Sequence, residues 1–332
     1  MPALQPPELV AAVLSAVQES GYSAVPISGV RTHPKRFAVT APDGAEAILS
    51  VYIWTLTFGG RPQLRNEYRI QMTSVTSPLE IAEDGPTVLL GYEPNLRLFG
   101  GFDLRRHRTF TTGSPSVQID IQNLRQAEQE GLTFHRKSND EIAVGIRPDQ
   151  LMNYASNAES LHRYGREGNV LRLLTRATAL QAIPAADLEA LSTERQRVVR
   201  EVSLLSRIAS FRRQVLFAYG SQCAVTRMQL RLVDAAHILP VGAPGSADNV
   251  MNGIALSPTY HRAYDLGLIY LNDEYRMQLN LRQVTTLNRL GLAGGLEAFR
   301  EPLGRIFLPP DRRQWPSVDY IRRANRFRNV TQ

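Results

Sequence analysis

The chain has 332 residues, room for two domains, and its one cysteine, Cys223, excludes both an internal disulfide and a zinc site built from cysteines. A formal charge of +7, from 38 basic and 31 acidic residues, favours an anionic partner, nucleic acid being the commonest. No run approaches the ~20 apolar residues of a membrane span, and the opening MPALQPPELVAAV lacks a basic region followed by an apolar core and a cleavage site. The expectation is a soluble cytoplasmic protein with no membrane partner. Only Lys35 and Lys137 are lysines, so the positive charge is almost all arginine, whose planar fork suits phosphates and guanine edges.

In chain order, residues 7–20 place Leu9, Val10, Val13, Leu14 and Val17 at helical spacing, with prolines before them and Gly21 after. The period then shortens, and residues 47–58, 67–73, 87–92, 96–104 and 116–121 read as strands separated by Gly, Pro and Asn turns. Helical patterns return over residues 148–162 and 169–180, followed by a long charged helix from about residue 185 into the Arg207 region. The expected fold class is α+β: a strand-rich N-terminal module over 1–165, a helical linker over 166–204 and a C-terminal domain over 205–332. Between Glu194 and Arg213 six arginines face two glutamates, so this helix is a candidate for lying along a phosphate backbone.

The chemistry is concentrated in VDAAHILPVGAPGSADNVMNGIALSPTYHRAYD, residues 233–265. Residues 232–239 read as a short strand stopped by Pro240, with His237 at its end, and GIAL after Asn252 reads as a second strand. Ser257 is a candidate N-cap with Pro258 at the first helical position, so residues 259–266 should be a short helix closed by Gly267. Four residues apart on that helix, His261 and Asp265 share a face and offer one ion a nitrogen and an oxygen. Such a mixed pair tolerates Mg²⁺, Mn²⁺ or Ni²⁺ and leaves positions for water and phosphate. His237, from the strand, is placed to accept the proton of an attacking water. The remaining histidines, His33, His107, His135 and His162, show no metal spacing.

The series AAHILP, NGIAL and HRAYDLGLI resembles the HNH endonucleases and their ββα-metal fold. More narrowly it resembles the restriction-type branch in which a Cys-Ala-Val-Thr segment, here Cys223 to Thr226, precedes the motif. The resemblance covers about residues 205–315. It implies that His237 is the general base, that Asn252 holds the loop and orients that base, and that His261 binds the metal. Many relatives carry an Asp or His ligand immediately before the base, where this chain has Ala236. Either Asp265, the preferred candidate, or Asp234, on the same strand face as Ala236, takes that place. Many relatives also have a four-cysteine zinc knuckle. With Cys223 alone in that region no structural zinc is expected, and Cys223 should be a buried core residue.

A nuclease domain of this kind has little sequence preference, so target choice falls to the N-terminal module. In RNEYRIQ, Tyr68, Ile70 and Met72 alternate with Glu67, Arg69 and Gln71, and Arg69 and Gln71 can pair with base edges. Arg97, Arg105, Arg106, His107 and Arg108 bracket the aromatic FGGF at 99–102, a candidate for stacking on a flipped base or gripping phosphates. Arg262, Arg212 and Arg213 complete the DNA-contact candidates. The resulting expectation is a restriction or defence endonuclease with a divalent metal, acting on double-stranded and possibly modified DNA as a homodimer or transient dimer. Two alternatives stay open: an HNH effector gated by a ligand or partner sensed by the first half, and a non-catalytic DNA-binding protein with a degenerate site.

Overall fold

A computed structural model describes residues 3–61, 63–111, 113 and 115–330. The chain divides into two compact units, Met1–Ala209 and Ser210–Gln332. Among the described residues no helix is long and apolar enough to cross a membrane.

The first unit begins with helix α1 (Pro6–Glu19), whose start is fixed by Glu8 accepting the backbone N–H of Gln5 at 2.7 Å. Strands β1 (Ser23–Pro26), β2 (Lys35–Thr40), β3 (Glu46–Thr55), β4 (Thr57–Phe58), β5 (Glu67–Gln71), β6 (Thr87–Glu93) and β7 (Leu98–Phe102) follow. After the short helix α2 (Leu104–His107) come β8 (Ser116–Asp120), helix α3 (Ile121–Glu130), β9 (Leu132–Arg136) and β10 (Ile142–Ile146). Helices α4 (Leu151–Tyr164), α5 (Gly168–Thr178), α6 (Ala185–Glu189) and α7 (Thr193–Ala218) complete the run. Seven strands form one sheet in the order β1-β2-β3-β6-β7-β10-β9, antiparallel except for the parallel β3–β6 pair, and β4-β5-β8 form a second sheet.

The large sheet is covered on both faces, which explains why the strand signals at β3 and β10 are continuous apolar runs instead of alternations. Val51 and Ile53 join a core with α1, α4, α5 and α7, whereas Tyr52, Trp54 and Leu56 join a second core with Ile70, Val117 and Ile119. β1, β2, β9, β10 and α3 go beyond the elements legible in the sequence, because short runs such as IAVGI carry no period of their own.

Two expectations need correction. Val170, Leu173, Leu174 and Ala177 of α5 and Val198, Val199 and Val202 of α7 are core residues of the first unit, so most of the stretch read as a helical linker is part of that unit. Their apolar stripes need a partner, and the core shared with the sheet, α1 and α4 supplies one. The FGGF aromatics are also internal: Phe99 and Phe102 are each 1% exposed and join the two different cores. They are unavailable to a base. Between them Gly101 lets the ring of Tyr154 approach, since a Cβ there would lie 2.4 Å from it.

The second unit opens with the end of α7 and continues with β11 (Asp234–His237), β12 (Gly253–Leu256), α8 (Pro258–Asp265), β13 (Ile269–Leu271), β14 (Met277–Leu279), α9 (Leu281–Arg289), α10 (Leu296–Arg300) and α11 (Val318–Phe327). β11 and β12 are antiparallel, with His237 opposite Gly253 and Asp234 opposite Leu256. Its core is separate, running from Phe211 and Val215 through Ala236, Ile254 and Tyr264 to Ile321. Cys223 is fully buried in that core.

Candidate active site

The sequence-predicted strand, loop, strand and helix all form, and they carry the site. Pro258 opens α8 after an extended Ser257, and Tyr260, Ala263 and Tyr264 bury one side of the helix. His261, Arg262 and Asp265 are left on its other side. The glycine of the NGIAL segment has a packing reason: a Cβ on Gly253 would lie 2.2 Å from Val215 Cγ2, so only glycine lets β12 close on α7.

His237, at the end of β11, stacks flat on Phe211 with ring centroids 3.8 Å apart and planes 11° from parallel. Its Nε2 lies 3.0 Å from Asp248 Oδ1. Burial pushes its pKa below the ordinary histidine value, and the hydrogen bond and charge of Asp248 recover only part of that drop. The ring is therefore neutral at neutral pH, the form that can accept a proton.

His261 sits between two carboxylates: Nε2 is 3.3 Å from Asp265 Oδ2, and Nδ1 is 3.5 Å from Asp234 Oδ2. Burial would lower its pKa, but Asp234 and Asp265 together outweigh that and raise it. Asp234 is itself held by Arg212, whose Nη1 is 3.3 Å from Oδ1 and whose Nη2 donates to the Val233 carbonyl at 3.2 Å. Burial works against the Asp234 carboxylate, yet its bonds to His261 and Arg212 hold its pKa below the usual range.

These distances test the fit of a divalent cation. Adjacent donors around a small ion with bonds near 2.1 Å are separated by ~3 Å, and the His261–Asp265 pair is close to that spacing. The two nitrogens of one imidazole point apart, so a single ion uses Nε2 with Asp265 or Nδ1 with Asp234, not both. Among the described residues no group of three His, Cys, Asp or Glu side chains could hold a metal. A bound ion would need water and phosphate oxygens to complete its shell.

The other candidate residues separate clearly. Asn252 is fully buried and its amide is committed to the loop: Oδ1 accepts from Leu239 N at 2.8 Å, while Nδ2 lies 3.2 Å from Leu239 O, 3.1 Å from Ser246 Oγ and 3.1 Å from Ala247 O. It braces the β11–β12 loop and does not bond the His237 ring. Arg212, a DNA-contact candidate from sequence, is half-buried and pairs with Asp234. Arg213 and Arg262 are exposed, and Arg105 is exposed but ion-paired with Glu159 at 2.9 Å. Arg106 is exposed on α2; Arg69 faces Gln118 across β5–β8, with the exposed Gln71 opposite Ser116.

Sequence reasoning passed over Asp248 and Arg328. Arg328 donates to the Ile238 carbonyl at 2.8 Å, lies over the Tyr264 ring at 4.4 Å and has Nη2 3.9 Å from Asp265 Oδ1. Neither has a spacing signal, because both reach the site from loop or helix-end positions that only folding brings near.

With this geometry in place, comparison with known proteins assigns the class of the second unit. Residues 223–272 match the HNH endonuclease family, so the C-terminal unit contains an HNH endonuclease domain. Residues 48–155 match a family described as methylase-associated X1. A solved structure described as a modification-dependent TagI restriction endonuclease aligns at 13% identity with a TM-score of 0.29, covering 85% of this chain and 81% of that one. No curated protein matches the chain.

Proposed function

We propose that this protein is a metal-dependent DNA endonuclease of restriction or defence type, whose first unit selects the target, modified DNA included. The observation that carries the reading is the convergence, inside an HNH domain, of His237, backed by Asp248, with the His261–Asp265 donor pair, whose charges reach the His237 ring. His237 removes a proton from the attacking water. His261 Nε2 and Asp265 would hold a divalent cation, Mg²⁺ or Mn²⁺ with Ni²⁺ also compatible, while Asp234 would orient His261 through Nδ1. That division follows the common arrangement in which a metal-bound histidine gives its other ring N–H to a carboxylate. When bound, the cation neutralises the phosphate and stabilises the leaving oxygen. Arg262, exposed beside His261, is placed to meet a phosphate, as is Arg213.

Target choice is assigned to the outer face of the small sheet, where Arg69 and Gln71 of β5 are joined by Gln118 of β8, and to Arg106. A methylase-associated module joined to an HNH domain fits an enzyme that distinguishes modified from unmodified DNA. One such site cuts one strand, so cleavage of a duplex calls for two copies, as a homodimer or a transient pair on DNA. The test is digestion of plasmids from methylating and non-methylating hosts with Mg²⁺ or Mn²⁺, with His237→Ala as control. Cleavage of one DNA in preference to the other by wild type alone is expected. Failure to cut either DNA, or equal cutting by the variant, overturns the reading.

A further inference from the structure

We propose that Asp248 is the positioning residue for the base: it holds His237 in the tautomer protonated at Nε2, leaving Nδ1 as the nitrogen that takes the proton from water. This rests on the reading of His237 as the base. A carboxylate only accepts hydrogen bonds, so the 3.0 Å approach of Asp248 Oδ1 to Nε2 places the ring proton there. The stack on Phe211 fixes the ring plane, and Asp248 fixes its rotation within that plane. As the water O–H bond breaks, its proton joins Nδ1 and its oxygen bonds to phosphorus, while the bond from phosphorus to the leaving sugar oxygen breaks and that oxygen departs with the electron pair, to be protonated by solvent. The positive charge gained by the imidazole is shared with Nε2, beside the Asp248 carboxylate.

The same contact gives the motif asparagine a role at second hand. Asn252 ties down Leu239, Ser246 and Ala247, the residues leading directly to Asp248. The loop is anchored further by Asn249 donating to the Tyr320 hydroxyl at 3.0 Å and by Arg323 on the Pro244 carbonyl. A braced loop thus presents Asp248 to His237, although the two residues are separated by eleven positions in the chain.

Two measurements on the full chain test this. In metal-free protein labelled with ¹⁵N-histidine, long-range ¹H–¹⁵N correlation should show His237 protonated at Nε2 near neutral pH; a ring protonated at Nδ1 overturns the inference whatever the protein cleaves. In plasmid cleavage, Asp248→Asn should lower kcat on the order of 10²-fold or more with KM unchanged, and Asp248→Glu should recover part of the loss. A purely structural role predicts the reverse, with isosteric Asn tolerated better than the longer Glu. Full kcat in Asp248→Asn while His237→Ala is dead overturns this inference alone. Cleavage by His237→Ala overturns the functional reading and this inference with it, even if the tautomer is as expected.

Discussion

At the scale of single residues, the two carboxylates beside His261 face different nitrogens of its ring. Asp234 is tied to Arg212 and faces Nδ1, whereas Asp265 faces Nε2 from the next turn of the same helix. Asp265→Ala should therefore weaken Mn²⁺ binding more than Asp234→Ala, whose effect should stay near the ~10–100-fold typical of a residue that orients a ligand. Calorimetric titration of the two variants compares them directly. His261 and Asp265 were legible in the sequence because an i,i+4 pair on a short capped helix has one geometry. The pairing of Arg212 with Asp234 was not, since an arginine beside another arginine on a charged helix carries no signal of which distant carboxylate it meets.

At the scale of elements, the β11–β12 hairpin is stable because a side-chain amide replaces the regular ladder in its loop. Asn252→Ala strands the Leu239 N–H and removes the other loop contacts, and a loss of ~2–4 kcal/mol is expected. Gly253→Ala pushes a methyl against Val215 and should cost about 1–3 kcal/mol, less if α7 yields. Thermal or urea unfolding monitored in the HNH unit measures both. The helix α8 was readable from Ser257, Pro258 and Gly267, local signals that need no partner. β10 had no such signal, because a strand buried on both faces loses the alternation that marks a strand.

At the scale of the whole molecule, several buried ionisable groups in the first unit set its response to acid. Burial, with the charge of Lys35 for His33, pushes the pKa of both His33 and His162 down to about 4. The unfolded chain then takes up protons first as pH falls through ~6.5, so stability is lost from there down to about 4, on the order of 3 kcal/mol for each ring. Glu141 is buried, but His107 and Lys137 hold its pKa at about 2, so its contribution disappears as pH falls from about 4.5 toward 2. Melting curves between pH 7 and 4 should show the first unit falling in Tm across that range. A flat profile would mean that these histidines are solvated in the folded protein. The charge excess read from composition pointed toward an anionic partner, and α5, α6 and most of α7 serve the first unit's packing instead of linking two domains.

By itself the sequence determined the local framework of the second unit: which histidine ends a strand, which histidine and aspartate share a helical face, and where turns and caps must stand. Those features depend on neighbours within a few residues, where covalent geometry and hydrogen-bond spacing leave few choices. Only the tertiary structure decided which carboxylate meets which nitrogen, that the FGGF aromatics are internal, and that Asp248 meets His237. Such contacts join residues distant in the chain, and their selection depends on which apolar faces bury one another.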